Sequence, residues 1–254
     1  MKKNIMLVLV LILVITSVIS GCSKKTEPAS ASAAEGPAIT IGLSPWPGWF
    51  VWYLVEEKGF FKKEGVNVTL KWFPVYSDSL SALSTGQIDA NSQTLSDTLA
   101  PASKNIALKA VLVNDNSNGG DGIVVKPDIQ SIKDLKGKRV ATELGTVDHM
   151  LLLTALEQNG MGEKDINYIN MAVNDAGPAF IAGKLDAAVL WEPFLSKAIK
   201  DGKGKLLFSS KDTPGLIPDL LVFRKDITDK RPDDVKKIVR AWFDALDYWK
   251  QNPG

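Results

Sequence analysis

The chain has 254 residues, 45% of them apolar, with 30 Lys and Arg against 29 Asp and Glu and a formal net charge of +1. That length is enough for one sizeable core or two modest domains. The near-neutral balance, with no local basic cluster, excludes a general electrostatic reason to bind nucleic acid, and a single cysteine excludes a disulfide framework within the chain.

The first 21 residues read as an export signal. Lys2 and Lys3 form a basic n-region, and the apolar run 5–19 is short of the roughly 20 residues a bilayer span needs. Ser20 and Gly21 stand directly before Cys22, and small residues ahead of a cysteine resemble the lipobox of bacterial lipoproteins. Cys22 is therefore the expected lipidation site, and acyl chains the expected membrane anchor. The alternative is an ordinary signal peptide with a chance cysteine. Residues 22–38, mostly Ser, Ala, Lys, Glu, Thr, Gly and Pro, read as a flexible tether. Loss of residues 1–21 leaves 28 basic against 29 acidic side chains.

From residue 39 the pattern is α/β. Apolar runs predict strands at about 39–43, 67–72, 108–114, 138–142, 166–171, 186–190 and 219–223, with helical patterns at 146–158 and 175–182 between some of them. A last helix starts at Pro232 with Asp233 and Asp234 at its positive end. Val235, Ile238, Val239, Trp242, Leu246 and Trp249 give it one apolar face. That face needs a surface: either it docks back on the first domain, or the chain continues beyond Gly254.

One internal echo organises the body. Ala82-Leu83-Ser84-Thr85-Gly86-Gln87-Ile88-Asp89-Ala90 matches Ala179-Phe180-Ile181-Ala182-Gly183-Lys184-Leu185-Asp186-Ala187, each reading as a helix that ends at a left-handed glycine and leads into a strand opened by Asp. Two such units predict two similarly built lobes, 39–118 with 220–254 and 119–219. The glycine-rich run 116–122 and the run 213–218 are the expected crossings, a two-segment hinge.

Ligands of open α/β sheets bind beyond the carboxyl ends of the strands. The segment Ser44-Pro45-Trp46-Pro47-Gly48-Trp49-Phe50-Val51-Trp52 leaves the first strand there, so Ser44, Trp46 and Trp49 are candidate ligand residues, with packing of all three tryptophans as the alternative. Loops at equivalent strand ends add Tyr76, Asp78, Ser92, Gln93, Thr94, Glu143, Thr146, His149, Asn174 and Glu192. Asp78 also suits a plain helix cap, and His149 a cleft edge better than a catalytic base. The set is aromatic and acidic, and the nearest bases, Lys126 and Arg139, belong to a turn and a strand start. Tryptophan faces with carboxylates suit a small planar or ammonium-type cation. With no phosphate-loop lysine, Gly-x-Gly-x-x-Gly or paired-histidine motif, neither a cofactor nor a metal is expected.

Gly42 to Gly65, Gly86-Gln87-Ile88-Asp89-Ala90, Asp134-Leu135-Lys136-Gly137-Lys138-Arg139-Val140 and Trp191-Glu192-Pro193 together resemble the substrate-binding proteins of nitrate, sulfonate and taurine-type ABC importers, which are similar to proteins of thiamine-pyrimidine metabolism. The resemblance spans about 39–250. It implies a two-lobed periplasmic binding protein of class II, each lobe a mixed sheet flanked by helices, that closes on a solute and delivers it to permease subunits at the extracytoplasmic face of the membrane. The body is then expected to be monomeric and to break no bond. Ser44 to Trp49, with Trp72-Phe73 and Asn91 to Thr94, resembles a branch associated with urea-carboxylase or guanidine utilisation, which makes guanidinium the expected solute. An oxyanion or aminopyrimidine is the alternative. The family's usual extension past Gly254 is absent, so the first lobe is expected to lack its final helices. The rival classes are a pyrimidine-synthesis enzyme or lyase on the same scaffold, and a surface adhesin.

Overall fold

The computed structural model describes residues 36–253; the expected signal at 1–21, the lipidation site Cys22 and the tether up to residue 35 lie outside the described residues. The body contains two five-stranded mixed sheets of the same design. In the first, β1 (Ile39–Leu43) lies between β2 (Val68–Trp72) and β3 (Ala90–Thr94), parallel to both, and β10 (Pro218–Arg224) runs antiparallel between β3 and β4 (Leu108–Asn116). In the second, β6 (Arg139–Thr142) lies parallel to β7 (Asn167–Asn170) and β8 (Ala187–Trp191), while β5 (Asp121–Val125) runs antiparallel between β8 and β9 (Lys205–Ser209). The order β2-β1-β3-β10-β4 thus repeats as β7-β6-β8-β5-β9.

The echo is a matched piece of hydrogen bonding. α3 (Tyr76–Ser84) leads to Gly86 at φ 76°, and α6 (Val173–Ile181) leads to Gly183 at φ 74°, a left-handed turn that glycine enters without Cβ strain. Asp89 Oδ2 then accepts from Thr40 N at 2.9 Å, and Asp186 Oδ2 accepts from Arg139 N at 3.0 Å. Each aspartate stitches the start of its own strand to the start of the parallel neighbour. Lys126 and Arg139 both pair with Asp186, at 2.7 and 2.9 Å, which fixes them at this end of the second sheet.

The apolar pattern does not predict the strands β3, β5 and β9, and two runs are placed differently from the sequence-based expectation. Asn91-Ser92-Gln93-Thr94, expected as a loop, is the fully buried body of the central strand β3. Most of its polar side-chain atoms find internal partners, which offsets their burial: Asn91 Nδ2 donates to Ser79 Oγ at 3.0 Å and to Gln93 Oε1 at 3.1 Å, Gln93 Nε2 donates to Thr98 Oγ1 at 2.9 Å, and Ser92 Oγ accepts from Trp52 Nε1 at 3.0 Å, while Asn91 Oδ1 has no partner. The expected hinge run 116–122 is shorter, because Asn116 still belongs to β4 and Asp121-Gly122 already belong to β5.

The crossings that remain are bonded together. Ser117 N donates to Ile217 O at 2.9 Å, and Gly119 N donates to Ser210 Oγ at 2.6 Å.

α1 (Val51–Glu57), α2 (Phe60–Glu64) and the last helix, α9 (Pro232–Gln251), pack together against the first sheet. Of the two placements open for α9 in the sequence, the structure shows docking on this half. Val235, Ile238, Ala241, Trp242 and Ala245 are buried, and the Trp242 ring lies 4.5 Å from that of the fully buried Trp52. Trp249, expected on the apolar face, is 53% exposed. Among the described residues no helix is long and apolar enough to cross a membrane.

Candidate ligand pocket

A small cavity of about 20 Å³, room for about one water, lies between the carboxyl ends of the two sheets. Its first wall leaves β1. Trp46 is extended, at φ −135° and ψ 125°, and Pro47 then opens a single 3-10 turn (Pro47–Phe50) that runs into α1. This change of backbone sends three evenly spaced tryptophans to different places: Trp46 and Trp49 line the cavity, and Trp52 enters the core. Trp46 Nε1 donates to both carboxylate oxygens of Asp115 at 3.2 Å. Its ring lies so close to Gly120 that a Cβ there would stand 2.5 Å from it, so only glycine suits the crossing at that point. Trp49 lies 5.6 Å from the Tyr76 ring, and Tyr76 meets Trp191 edge-on at 5.5 Å, so an aromatic row passes from one half to the other.

The second feature is acidic. Asp219 sits opposite Thr94 on β3 and opposite Asp115 on β4, and Asp121 sits opposite Trp191 on β8. Because β10 corresponds to β5 and β3 to β8, Asp219 and Asp121 hold the same position in the two halves. Both line the cavity and are almost fully buried, 2% and 3% exposed. Asp148, in the first turn of α5 (Val147–Gln158), and Asp97, in the first turn of α4 (Leu95–Ser103), complete the group. Burial raises all of these carboxyls. Asp97 is pushed up to about 6 and Asp121 up to about 7, and Asp148 and Asp219 go well above the ordinary range, with the Asp121 and Asp115 charges beside them adding to the effect. Burial and the Asp97 charge likewise push the Tyr76 phenol well up. Among the described residues none of these acids is ion-paired to a Lys, Arg or His.

Two helices present their first residues, Tyr76 of α3 and Val147 of α5, to the cavity. A helix N-terminus is a ready anion site, but here the protein's own carboxylates use it. Glu143 Oε1, from beyond β6, accepts from Ser77 N at 3.1 Å, and Asp97 Oδ2, from α4, accepts from Val147 N at 3.3 Å. Each half caps a helix of the other.

Of the candidate residues, Ser44, Trp46, Trp49, Tyr76 and Thr94 line the cavity. The others do not, each for a local reason. Ser92 and Gln93 are held within their sheet by the bonds described above. Glu143 is spent on α3, and Thr146 Oγ1 donates to Glu143 O at 2.8 Å while the residue borders an open outer groove together with His149. His149 Nε2 pairs with Glu163 at 2.6 Å and its ring packs 5.1 Å from Tyr168. Glu192 turns back to Ser196, accepting from its N at 3.2 Å and its Oγ at 2.6 Å. Asp78 is exposed on the first turn of α3, and Asn174 is half-buried at the start of α6 outside the lining. Sequence reasoning missed Asp121, Asp219, Asp115 and Trp191. A signal for two of them was present: Asp121-Gly-Ile-Val-Val and Asp219-Leu-Leu-Val-Phe each place a lone acid directly ahead of an apolar strand. Among the described residues no cluster of His, Cys, Asp and Glu has the geometry to hold a metal ion.

Known proteins place this architecture. The chain is 28% identical over 230 residues to a binding protein of Brucella abortus, covering 88% of this chain and 70% of the relative. It is 28% identical over 202 residues to the taurine-binding periplasmic protein of Escherichia coli, covering 78% of this chain and 62% of the relative. Its fold is similar to that of the periplasmic aliphatic sulphonate binding protein SsuA from Escherichia coli, with TM-score 0.73 at 24% identity over 86% of this chain and 71% of that one. The NMT1/THI5-like family model matches residues 46–254. With two repeated mixed sheets around one cleft, and a family match over most of its length, the chain belongs to the NMT1/THI5-like family and has the fold of a periplasmic binding protein.

Proposed function

We propose that the protein is the extracytoplasmic solute-binding component of an ABC importer, tethered to the membrane through Cys22, and that its solute is a small organic cation, with guanidinium the best fit. The lobes are residues 39–118 with 220–254 and residues 119–219, turning about the paired crossings, and the protein delivers its solute to permease subunits without breaking a bond. The cation rests on one observation. Asp121 and Asp219, from equivalent positions of the two halves, reach an aromatic cavity that, among the described residues, no cationic side chain lines, while the helix N-termini an oxyanion would use are already capped by Glu143 and Asp97. A planar cation between tryptophan faces and carboxylates gains ring-quadrupole attraction and charge-assisted hydrogen bonds together.

A second reading has its own support. Trp49 Nε1 and Trp191 Nε1 are buried donors with no well-formed hydrogen bond, which suits a solute that also carries acceptors, such as a zwitterionic sulfonate. Calorimetry at neutral pH with guanidinium, methylammonium, taurine, methanesulfonate and nitrate separates the two. Heat with guanidinium and none with nitrate supports the cation. Tight binding of an anion with none for cations overturns it, and preference for taurine over both selects the zwitterion.

A further inference from the structure

The acids around the cavity are more numerous than the charge of one small solute can balance, and they are crowded together. Asp115 and Asp219 face one another in register on β4 and β10, and Asp121 of β5 and Asp148 of α5 are both buried, with neither carboxyl oxygen of Asp148 hydrogen-bonded. Asp115 accepts from Trp46 Nε1, and Asp121 from the Ser117 hydroxyl. The groups that face them from the packed elements are Asp97 of α4, Glu143 beyond β6 and Tyr76 of α3, so no neighbouring cation compensates. An independent mark of an occupant is Ser44 Oγ, fully buried on the cavity wall with no partner.

We propose that Asp115, Asp121, Asp148 and Asp219 set the charge specificity of the cleft by exchange: the solute cation enters as a proton shared among these carboxyl groups leaves. The inference rests on the cation reading above. Carboxylates crowded in a buried site with no cation beside them cannot all be ionised, so the group retains protons when the cleft is empty. An entering cation supplies the same positive charge. One carboxyl O–H bond breaks, its electron pair stays on the oxygen that receives the solute N–H, and the proton passes to buffer. The buried charge is conserved, whereas an anionic solute would add negative charge to the acids already there.

The test is calorimetric titration of the full chain with guanidinium chloride, a probe that stays charged throughout, in buffers of different ionisation heat between about pH 6 and pH 8. Release of about one proton per cation is expected, with affinity rising about tenfold per pH unit on the acid side of that range. Asp121→Asn and Asp219→Asn are each expected to lower the proton count and flatten the pH dependence. Guanidinium binding with the same affinity and heat at every pH and in every buffer overturns the exchange and leaves the cation reading standing. No binding of guanidinium or methylammonium by folded protein at any pH overturns both. If the variants fold and release as many protons as the unaltered chain, the exchange does not run through these residues; if they fail to fold, the count for the unaltered chain still decides.

Discussion

The two halves agree at one end of their sheets and differ at the other. At the amino ends of β3 and β8, Asp89 and Asp186 make the same bond to the neighbouring strand, after the same left-handed glycine. At the carboxyl ends, the first half brings Trp46, Trp49 and Tyr76, whereas the second brings Trp191 and the capping carboxylate Glu143. The acid on the crossing strand is the one cavity feature common to both, as Asp219 and Asp121. The lesson is a division of labour along the strand axis. The end that folds each sheet repeats because both sheets solve the same packing problem, and the end that faces the cavity diverges, the first half supplying most of its aromatic wall.

The comparison breaks or sharpens under substitution. The largest effect is expected from Trp52→Ala, which removes an indole packed against Trp242 and Phe61 and bonded to Ser92. A loss of about 3–5 kcal/mol in urea unfolding is expected, and a loss below about 1 kcal/mol would mean that α1 and α9 are not tied together through this ring.

Next is the pH dependence of the empty protein, where the two ends have opposite signs. Asp97, raised to about 6, and Asp121, raised to about 7, bind more protons folded than unfolded above the ordinary carboxylate pKa, so they lower stability as pH rises through about 4 to 7. Each contributes roughly 2–4 kcal/mol at the top of that window. Asp186 is held well below the usual range by the Arg139 guanidinium and by Lys126, so its contribution is present above the ordinary pKa and is lost in acid. Chemical denaturation is therefore expected to find maximal stability near pH 5, and Asp121→Asn to raise stability at pH 7 more than at pH 5. A steady rise in stability from pH 5 to pH 7 would contradict this account of the acids around the cavity.

Trp46→Ala is expected to weaken guanidinium binding by about tenfold or more, the scale of a desolvated cation–aromatic contact, while leaving the far-ultraviolet circular dichroism unchanged. Unaltered affinity by calorimetry would place that ring outside the solute's reach. The smallest effects are expected from His149→Ala and Asp78→Ala. Both residues point away from the cavity, so guanidinium affinity should stay within about twofold of the unaltered chain; a larger fall in either would extend the site towards the outer groove.

Much of this was legible in the sequence. Apolar periodicity located seven strands and the long last helix, and the echo around Gly86 and Gly183 announced two like sheets. Two tryptophans of the conspicuous Trp46 to Trp52 segment line the cavity, and the third, Trp52, is core. Those features are local: a strand, a helix cap or a glycine turn is specified by residues within a few positions of one another. The site was less legible. Polar character suggested that 91–94 is a loop, yet burial was possible because Ser79, Thr98 and Trp52, distant or on other elements, bond to most of those side-chain atoms.

Short-range pattern and composition were enough for the α/β class, the twofold repeat and the tryptophans of the first cavity wall. What tertiary structure alone decided is which acids meet. Asp115, Asp121 and Asp219 lie in three different strands, and Asp97 and Glu143 cap helices of the opposite half. The proximity of like charges, and hence their protonation, depends on distances that sheet register and the approach of the two halves create. Neither is written in the spacing of residues along the chain.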